Sequence, residues 1–176
     1  MKQVLFIIAP EEFRDEELFE PKQILEDAGL LCNIVSTIDG VCKGKLGAQA
    51  TTTVSLHTLD VAEYGAIVLV GGPGSVTLGD NFLITDILKE AHACHKLIAA
   101  ICIAPTILAK MGLLKDKRAT VHETGLEVFE EHGVSYLNES VVIDTSEKDH
   151  VFITANGPLA AIQFGEKILE VLTAPE

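Results

Sequence analysis

The chain has no tryptophan and only 5% aromatic residues. Its core must therefore be built from aliphatic side chains, and a hydrophobic content of 48% suits an Ala/Val/Ile/Leu-rich α/β interior. Basic residues are scarce, 13 Lys and Arg against 26 Asp and Glu, for a net charge of −13. That balance argues against nucleic acid and anionic membranes as partners, because both require basic patches. No apolar run approaches the ~18 residues of a membrane span. The apolar stretch Val4–Ala9 before Pro10-Glu11-Glu12 is too short and wrongly flanked for a signal peptide. A cytoplasmic location is expected. Cys32, Cys42, Cys94 and Cys102 form no C-x-x-C pair, and a reducing compartment disfavours disulfides. Repeats, linkers and low-complexity runs are also absent, so residues 1–176 are expected to form a single domain burying roughly 70% of the unfolded surface.

What is present alternates between two patterns. Val4–Ala9, Cys32–Ser36, Ala66–Val70 and Leu97–Ile101 are short apolar runs, as expected of strands buried on both faces. Helical segments lie between them. One starts near Asp15 or Glu16 and closes at Ala28-Gly29, and another runs from Asn81 to His95. Residues 37–60 are the least regular, with a hairpin signal at Asp39-Gly40 and a possible strand over Thr51–Ser55. Further on, Ala119–Val121, Val141–Asp144 and Val151–Thr154 read as strands, Leu126–His132 and Leu159–Leu172 as helices. The alternation predicts a doubly wound, mostly parallel sheet with helices on both faces and ligands at the carboxyl ends of the strands.

The stretch Leu97–Gly112 carries the clearest chemical signal. Cys102 stands at the junction between a buried strand and a helix opened by Pro105, with small residues, Ala100 and Ala104, two positions to either side. This is the pattern of a nucleophile elbow, in which a tight turn pushes one side chain out above the sheet. A thiol there faces the positive end of the following helix, which favours thiolate. The competing reading is a small buried hydrophobe, the usual fate of a free cysteine.

Other strand ends supply further groups. The first helix carries Glu11, Glu12, Asp15, Glu16, Glu17 and Glu20 at or before its opening turns, and all but Glu17 read as a solvated face. Glu17 instead falls in the apolar stripe set by Leu18, Pro21, Ile24, Leu25 and Ala28. A carboxylate placed there is costly unless functional or paired, and burial favours its protonated form. Gly71-Gly72-Pro73-Gly74 follows a strand directly. It reads either as a plain turn or as a place where backbone amides approach a ligand, with the Gly72 and Ile103 amides forming an oxyanion hole. His122 follows a strand end and is either structural or part of the same site. His92 and His95 flank Cys94 on a helix and read as a surface cluster. His122-Glu123-Thr124-Gly125 lacks the second histidine of a zinc helix, so no metal site is expected.

Taken together, Val4–Ala9 with Glu17-x-x-x-Pro21, Val70-Gly71-Gly72-Pro73-Gly74, Ala99-Ala100-Ile101-Cys102-x-x-Pro105 and Thr154-Ala155-Asn156-Gly157-Pro158 resemble the ThiJ/PfpI superfamily. The resemblance covers nearly the whole chain and is nearest the short prokaryotic members related to the parkinsonism-associated deglycase. It implies a flavodoxin-like sandwich and a homodimer. It also implies Cys102 as nucleophile, Glu17 as its protonated partner, Gly72 and Ile103 as oxyanion donors, and His122 as the histidine near the cysteine. Gly71 and Asn156 are expected at the substrate, although Asn156 stands where some relatives carry a basic residue. Ile103 occupies the position that is histidine in the intracellular-protease branch, so the adjacent base of that branch is missing. The expected function is a cofactor-independent glyoxalase, or a deglycase of glycated protein and nucleotide adducts, acting on small aldehydes or glycated substrates. The alternatives are a redox sensor or chaperone whose Cys102 becomes a sulfinate, and a cysteine peptidase or amidohydrolase.

Overall fold

A computed structural model describes residues 3–175. In chain order the elements are β1 (Gln3–Ile7), β2 (Glu11–Phe13), α1 (Asp15–Asp27), β3 (Leu31–Val35), β4 (Val41–Gly44), β5 (Gln49–Thr51), β6 (Tyr64–Leu69), α2 (Phe82–Ala93), β7 (Leu97–Ile101), α3 (Pro105–Lys110), β8 (Arg118–Ala119), α4 (Leu126–Glu131), β9 (Ser135–Tyr136), β10 (Val141–Asp144), β11 (Phe152–Ala155) and α5 (Ala161–Thr173). The central sheet has six strands in the order β10-β11-β7-β6-β1-β3. All its pairings are parallel except β10 with β11.

Alternation along β1 shows how one strand serves two cores. Val4, Phe6 and Ile8 pack with Leu18, Leu25, Phe164 and Ile168 of α1 and α5. Leu5 and Ile7 pack on the other face with Ile84, Leu88, Ile107 and Phe129 of α2, α3 and α4. Every one of these side chains is at most 3% exposed, as a doubly covered sheet requires.

On the first face α1 and α5 lie backbone to backbone. A β-carbon on Gly165 would come within 2.7 Å of the Pro21 Cα. Pro21 thus sits inside α1 against Gly165 of α5. Alanine at Gly165 gains helix propensity but collides with backbone that cannot rotate away. We expect Gly165→Ala to destabilise the fold by about 1–2 kcal/mol net. Thermal unfolding should show this as a Tm fall of roughly 2–6 °C.

Three sequence expectations change. The hairpin in 37–60 is formed by β4 and β5, paired antiparallel, and turns at residues 45–48 with Gly47 at φ 98°. Asp39-Gly40 precedes it, and the second strand ends at Thr51 where one over Thr51–Ser55 is expected. The segment before His122 does not join the main sheet. β8 covers Arg118–Ala119 and pairs with β9 in a separate ladder. Asp15 is 7% exposed and not part of a solvated face. Its carboxylate accepts hydrogen bonds from the Leu46 and Ala48 amides at 2.8 and 2.9 Å, pinning the β4–β5 turn beside α1.

Candidate active site

The site is assembled at the carboxyl ends of β1, β6, β7 and β11. Cys102 follows β7 with φ +64°, a left-handed conformation that a non-glycine residue holds only when its surroundings impose it. Those surroundings are Ala100 and Ala104, both fully buried, and the Cys102 amide donating to the Ala155 carbonyl at 2.9 Å. The elbow expected from the Ala-x-Cys-x-Ala pattern is therefore formed.

Glu17 lies beneath the sulfur. It is 0% exposed, and among the described residues neither carboxylate oxygen has a hydrogen-bond partner of good geometry. The Cys102 thiol and the Gly71 amide are the polar groups that act on it, and burial, the dominant influence, lifts its pKa to about 7. Gly71 makes this approach possible. A β-carbon there would meet Glu17 Oε2 at 2.4 Å and the Cys102 Cβ at 2.6 Å. Gly71 is thus a spacer between the two side chains, not part of the cavity wall.

The helix end alone does not make Cys102 acidic. Burial first, then the negative charge of Glu17 and its hydrogen bond, push the Cys102 thiol up to about 12. The amides of Gly72 and Ile103 oppose this by donating toward the sulfur. Because the two acids touch, they titrate as a pair. The pair loses its first proton near 7 and holds its second to about 12. In the singly protonated pair, the remaining proton belongs on Glu17. A carboxylate 0% exposed with only the Gly71 amide and the thiol near it is the costlier anion, whereas a thiolate here has two amides and the Glu17 hydroxyl as donors.

Gly72, at φ +102°, presents its amide because its backbone nests against β2. A β-carbon there would lie 2.5 Å from both the Arg14 nitrogen and the Glu12 carbonyl oxygen. Cys102, Gly72 and Ile103 line a cavity of about 370 Å³ with Arg14, Lys45, Pro73, Val76, His122, Thr124 and Pro158.

His122 reaches this cavity although its strand is outside the main sheet. The Thr120 amide donates to Thr154 Oγ1 at 2.9 Å, and the His122 amide donates to the Cys102 carbonyl at 2.8 Å. Its Nδ1 accepts the Thr124 amide and lies 2.9 Å from the Thr124 hydroxyl. A backbone N–H can only donate, so the neutral ring carries its proton on Nε2. Among the described residues, no hydrogen bond joins this imidazole to the Cys102 sulfur. Asn156 is placed elsewhere, lining an adjacent groove with Tyr136, Asn138 and Leu159 that shares His122 and Pro158 with the cavity.

Sequence reasoning misses Arg14 and Lys45. Arg14 is the only basic residue among the acids of residues 11–20, a signal that was available. Its guanidinium pairs with Glu16 at 2.9 and 3.1 Å. Lys45 could not be foreseen, because the Asp15-pinned turn that carries it is fixed by contacts more than thirty residues apart.

The sequence profile of the DJ-1/PfpI family matches residues 2–171. The chain belongs to the DJ-1/PfpI family. An uncharacterised protein of Methanocaldococcus jannaschii is 39% identical, covering 97% of this chain and 82% of its own. The glutathione-independent glyoxalase DJR-1.2 of Caenorhabditis elegans is 32% identical over 99% of this chain and 91% of its own. The deglycase PfpI of Pyrococcus furiosus is 30% identical over 81% and 85%. A ThiJ/PfpI domain protein of Brachyspira murdochii superposes with a TM-score of 0.92 at 28% identity, covering 100% of both chains. No helix among the described residues is long and apolar enough to cross a membrane.

Proposed function

We propose that the protein is a cofactor-independent enzyme of reactive 2-oxoaldehydes, converting them to 2-hydroxy acids through a Cys102 adduct. The observation that carries this reading is the fully buried Glu17 carboxyl beneath a strained, cavity-facing cysteine. The glyoxalase and deglycase names of relatives at 30% identity or more support it.

In this reading the thiolate attacks the aldehyde carbon, forming a C–S bond. The carbonyl electrons move to oxygen, where the Gly72 and Ile103 amides hold the charge. Hydrogen then passes from the former aldehyde carbon to the neighbouring carbon by way of an enediol. Glu17, which touches the sulfur, first gives its proton to that oxyanion, and the carboxylate so formed then takes the proton from the former aldehyde carbon, one bond from sulfur, and returns it to the neighbouring carbon. His122, with its proton on Nε2, donates to the second carbonyl oxygen instead of acting as base. The product of the shift is a thioester of Cys102. Water breaks its C–S bond, releasing the 2-hydroxy acid and regenerating the thiol, so no oxidant or reductant is consumed. Arg14 and Lys45 give the cavity a cationic rim that holds polar or anionic groups of the substrate. A deglycase reaction shares the first step, with the thiol attacking the carbonyl carbon of an amine adduct. A homodimer and a cytoplasmic location accompany this proposal as family expectations.

Purified protein supplied with methylglyoxal, and with no glutathione or other thiol, should produce lactate at a rate proportional to enzyme. Dependence on added thiol would refute the reading. A redox role competes because a neutral Glu17 would also hydrogen-bond a Cys102 sulfinate. It predicts two added oxygens on Cys102 after mild peroxide in protein that shows no lactate formation.

A further inference from the structure

A second cluster lies at the opposite end of the same strands. His95 and Lys96 lead into β7, and the β10–β11 turn, residues 145–151, leads into β11. Cys102 stands about 17 Å away, the length of the five-residue β7. The histidines of α2, read from sequence as a surface pair, gain partners here from the far end of the chain. His92, Glu147 and His150 bring one ligand atom each within 4.8 Å of one another. His95 Nδ1 and His150 Nε2 share a hydrogen bond of 3.1 Å, and His150 Nε2 lies 3.7 Å from Glu147 Oε1. The His92 and His150 ring centroids are 4.1 Å apart.

Three observations separate this from a chance gathering of polar side chains. First, His92 Nδ1 is buried with no hydrogen-bond partner among the described residues, and such groups are rare unless an ion or water completes them. Second, the spacings suit ligation. Ligand atoms each ~2.0–2.1 Å from a tetrahedral ion stand about 3.3 Å apart, a contraction that atoms already within 4.8 Å of one another reach by small side-chain movements. Third, the scaffold is built independently of the cluster. Asp144, 1% exposed, accepts from the Ser146 amide and hydroxyl at 3.0 and 2.6 Å and from the Arg118 amide at 3.0 Å. That fixes the start of the turn. His95 ends α2 in a left-handed conformation, φ +53°, at a position where glycine is usual, and this aims its ring at His150.

Lys117 is the competing cation, with its Nζ 2.6 Å from Glu147 Oε2. It leaves Oε1, the oxygen facing His150, available. We propose that His92, His150 and Glu147 Oε1 bind a divalent transition-metal ion, with solvent completing its shell, that staples the end of α2 to the β10–β11 turn. Two imidazoles and one carboxylate select zinc and its neighbours in the transition series over magnesium or calcium. The site is structural and stands apart from the Cys102 chemistry.

The test uses tag-free, chelator-stripped protein titrated with Zn²⁺ by calorimetry. Cys102→Ser is the parent for every comparison, which removes the thiol that would compete. The expected result is one Zn²⁺ per chain and a Tm that rises with Zn²⁺. Binding should weaken at least about 100-fold in His150→Asn and in Glu147→Gln, since even supporting residues of metal sites cost 10–100-fold. Glu147 lies on an exposed turn, so its variant folds whatever becomes of His150→Asn. Cobalt substitution should give the visible bands of a tetrahedral site. The proposal is overturned if the parent takes up no stoichiometric Zn²⁺, or if Glu147→Gln binds it as tightly as the parent does. It also falls if wild type binds one Zn²⁺ that Cys102→Ser abolishes.

Discussion

Replacing Cys102 with serine abolishes turnover of 2-oxoaldehydes, a loss of about 10³-fold or more, while the fold is retained. Serine matches the size of the thiol, and the left-handed backbone at this position is imposed by Ala100, Ala104 and the hydrogen bond to Ala155. What is lost is the anion. A serine hydroxyl cannot ionise beside a neutral carboxyl, and no base of sufficient strength touches it. Steady-state lactate formation measures the loss, and circular dichroism establishes the fold. Activity within tenfold of wild type would remove Cys102 from the mechanism.

Glu17→Gln has the next largest effect. Gln keeps the volume and can donate an N–H to the sulfur, but it cannot accept and return a proton. General acid–base groups of this kind contribute about 10²–10⁴-fold, and a kcat/KM loss in that range is expected. The pH profile distinguishes this from a packing defect. In the wild type, activity rises with pH through about 7, where the pair loses its first proton. In the variant that limb moves to higher pH, because only the burial-raised thiol remains to titrate. Stability moves the other way. A group whose folded pKa is raised favours folding below its unfolded value, and that contribution is lost as pH rises through the folded pKa. Wild-type stability therefore falls between about 4.5 and about 7 on account of Glu17. The variant lacks that fall and is relatively more stable at neutral pH.

The chemistry of the site was legible where local pattern and local structure coincide. The flanking alanines define the elbow, and Glu17 stands in the apolar stripe of α1, a conflict visible at helical spacing and explained by a 0% exposed carboxyl. The parallel sheet follows from the alternation of apolar runs and helices. Positions set by distant contacts were not legible. Asp15 looks like one acid among many until the Leu46 and Ala48 amides reach it. His122 arrives at the cavity through Thr154 and the Cys102 carbonyl, not through a strand of the sheet. Asn156 is displaced into the neighbouring groove. His92 and His95 acquire His150 and Glu147 only when β10 and β11 fold back beside β7. The balance between helix end and burial at Cys102 was misjudged for the same reason, since desolvation depends on the whole packed environment.

With the pair's single remaining proton on Glu17, the sulfur is charged at neutral pH. The rate of Cys102 alkylation by iodoacetamide, followed against pH by mass spectrometry of the Cys102 peptide, reads this directly. A midpoint near 7 in the wild type, displaced upward in Glu17→Gln, is the predicted result. A wild-type midpoint at or above the ordinary thiol value of 9.0, unmoved by Glu17→Gln, would contradict it.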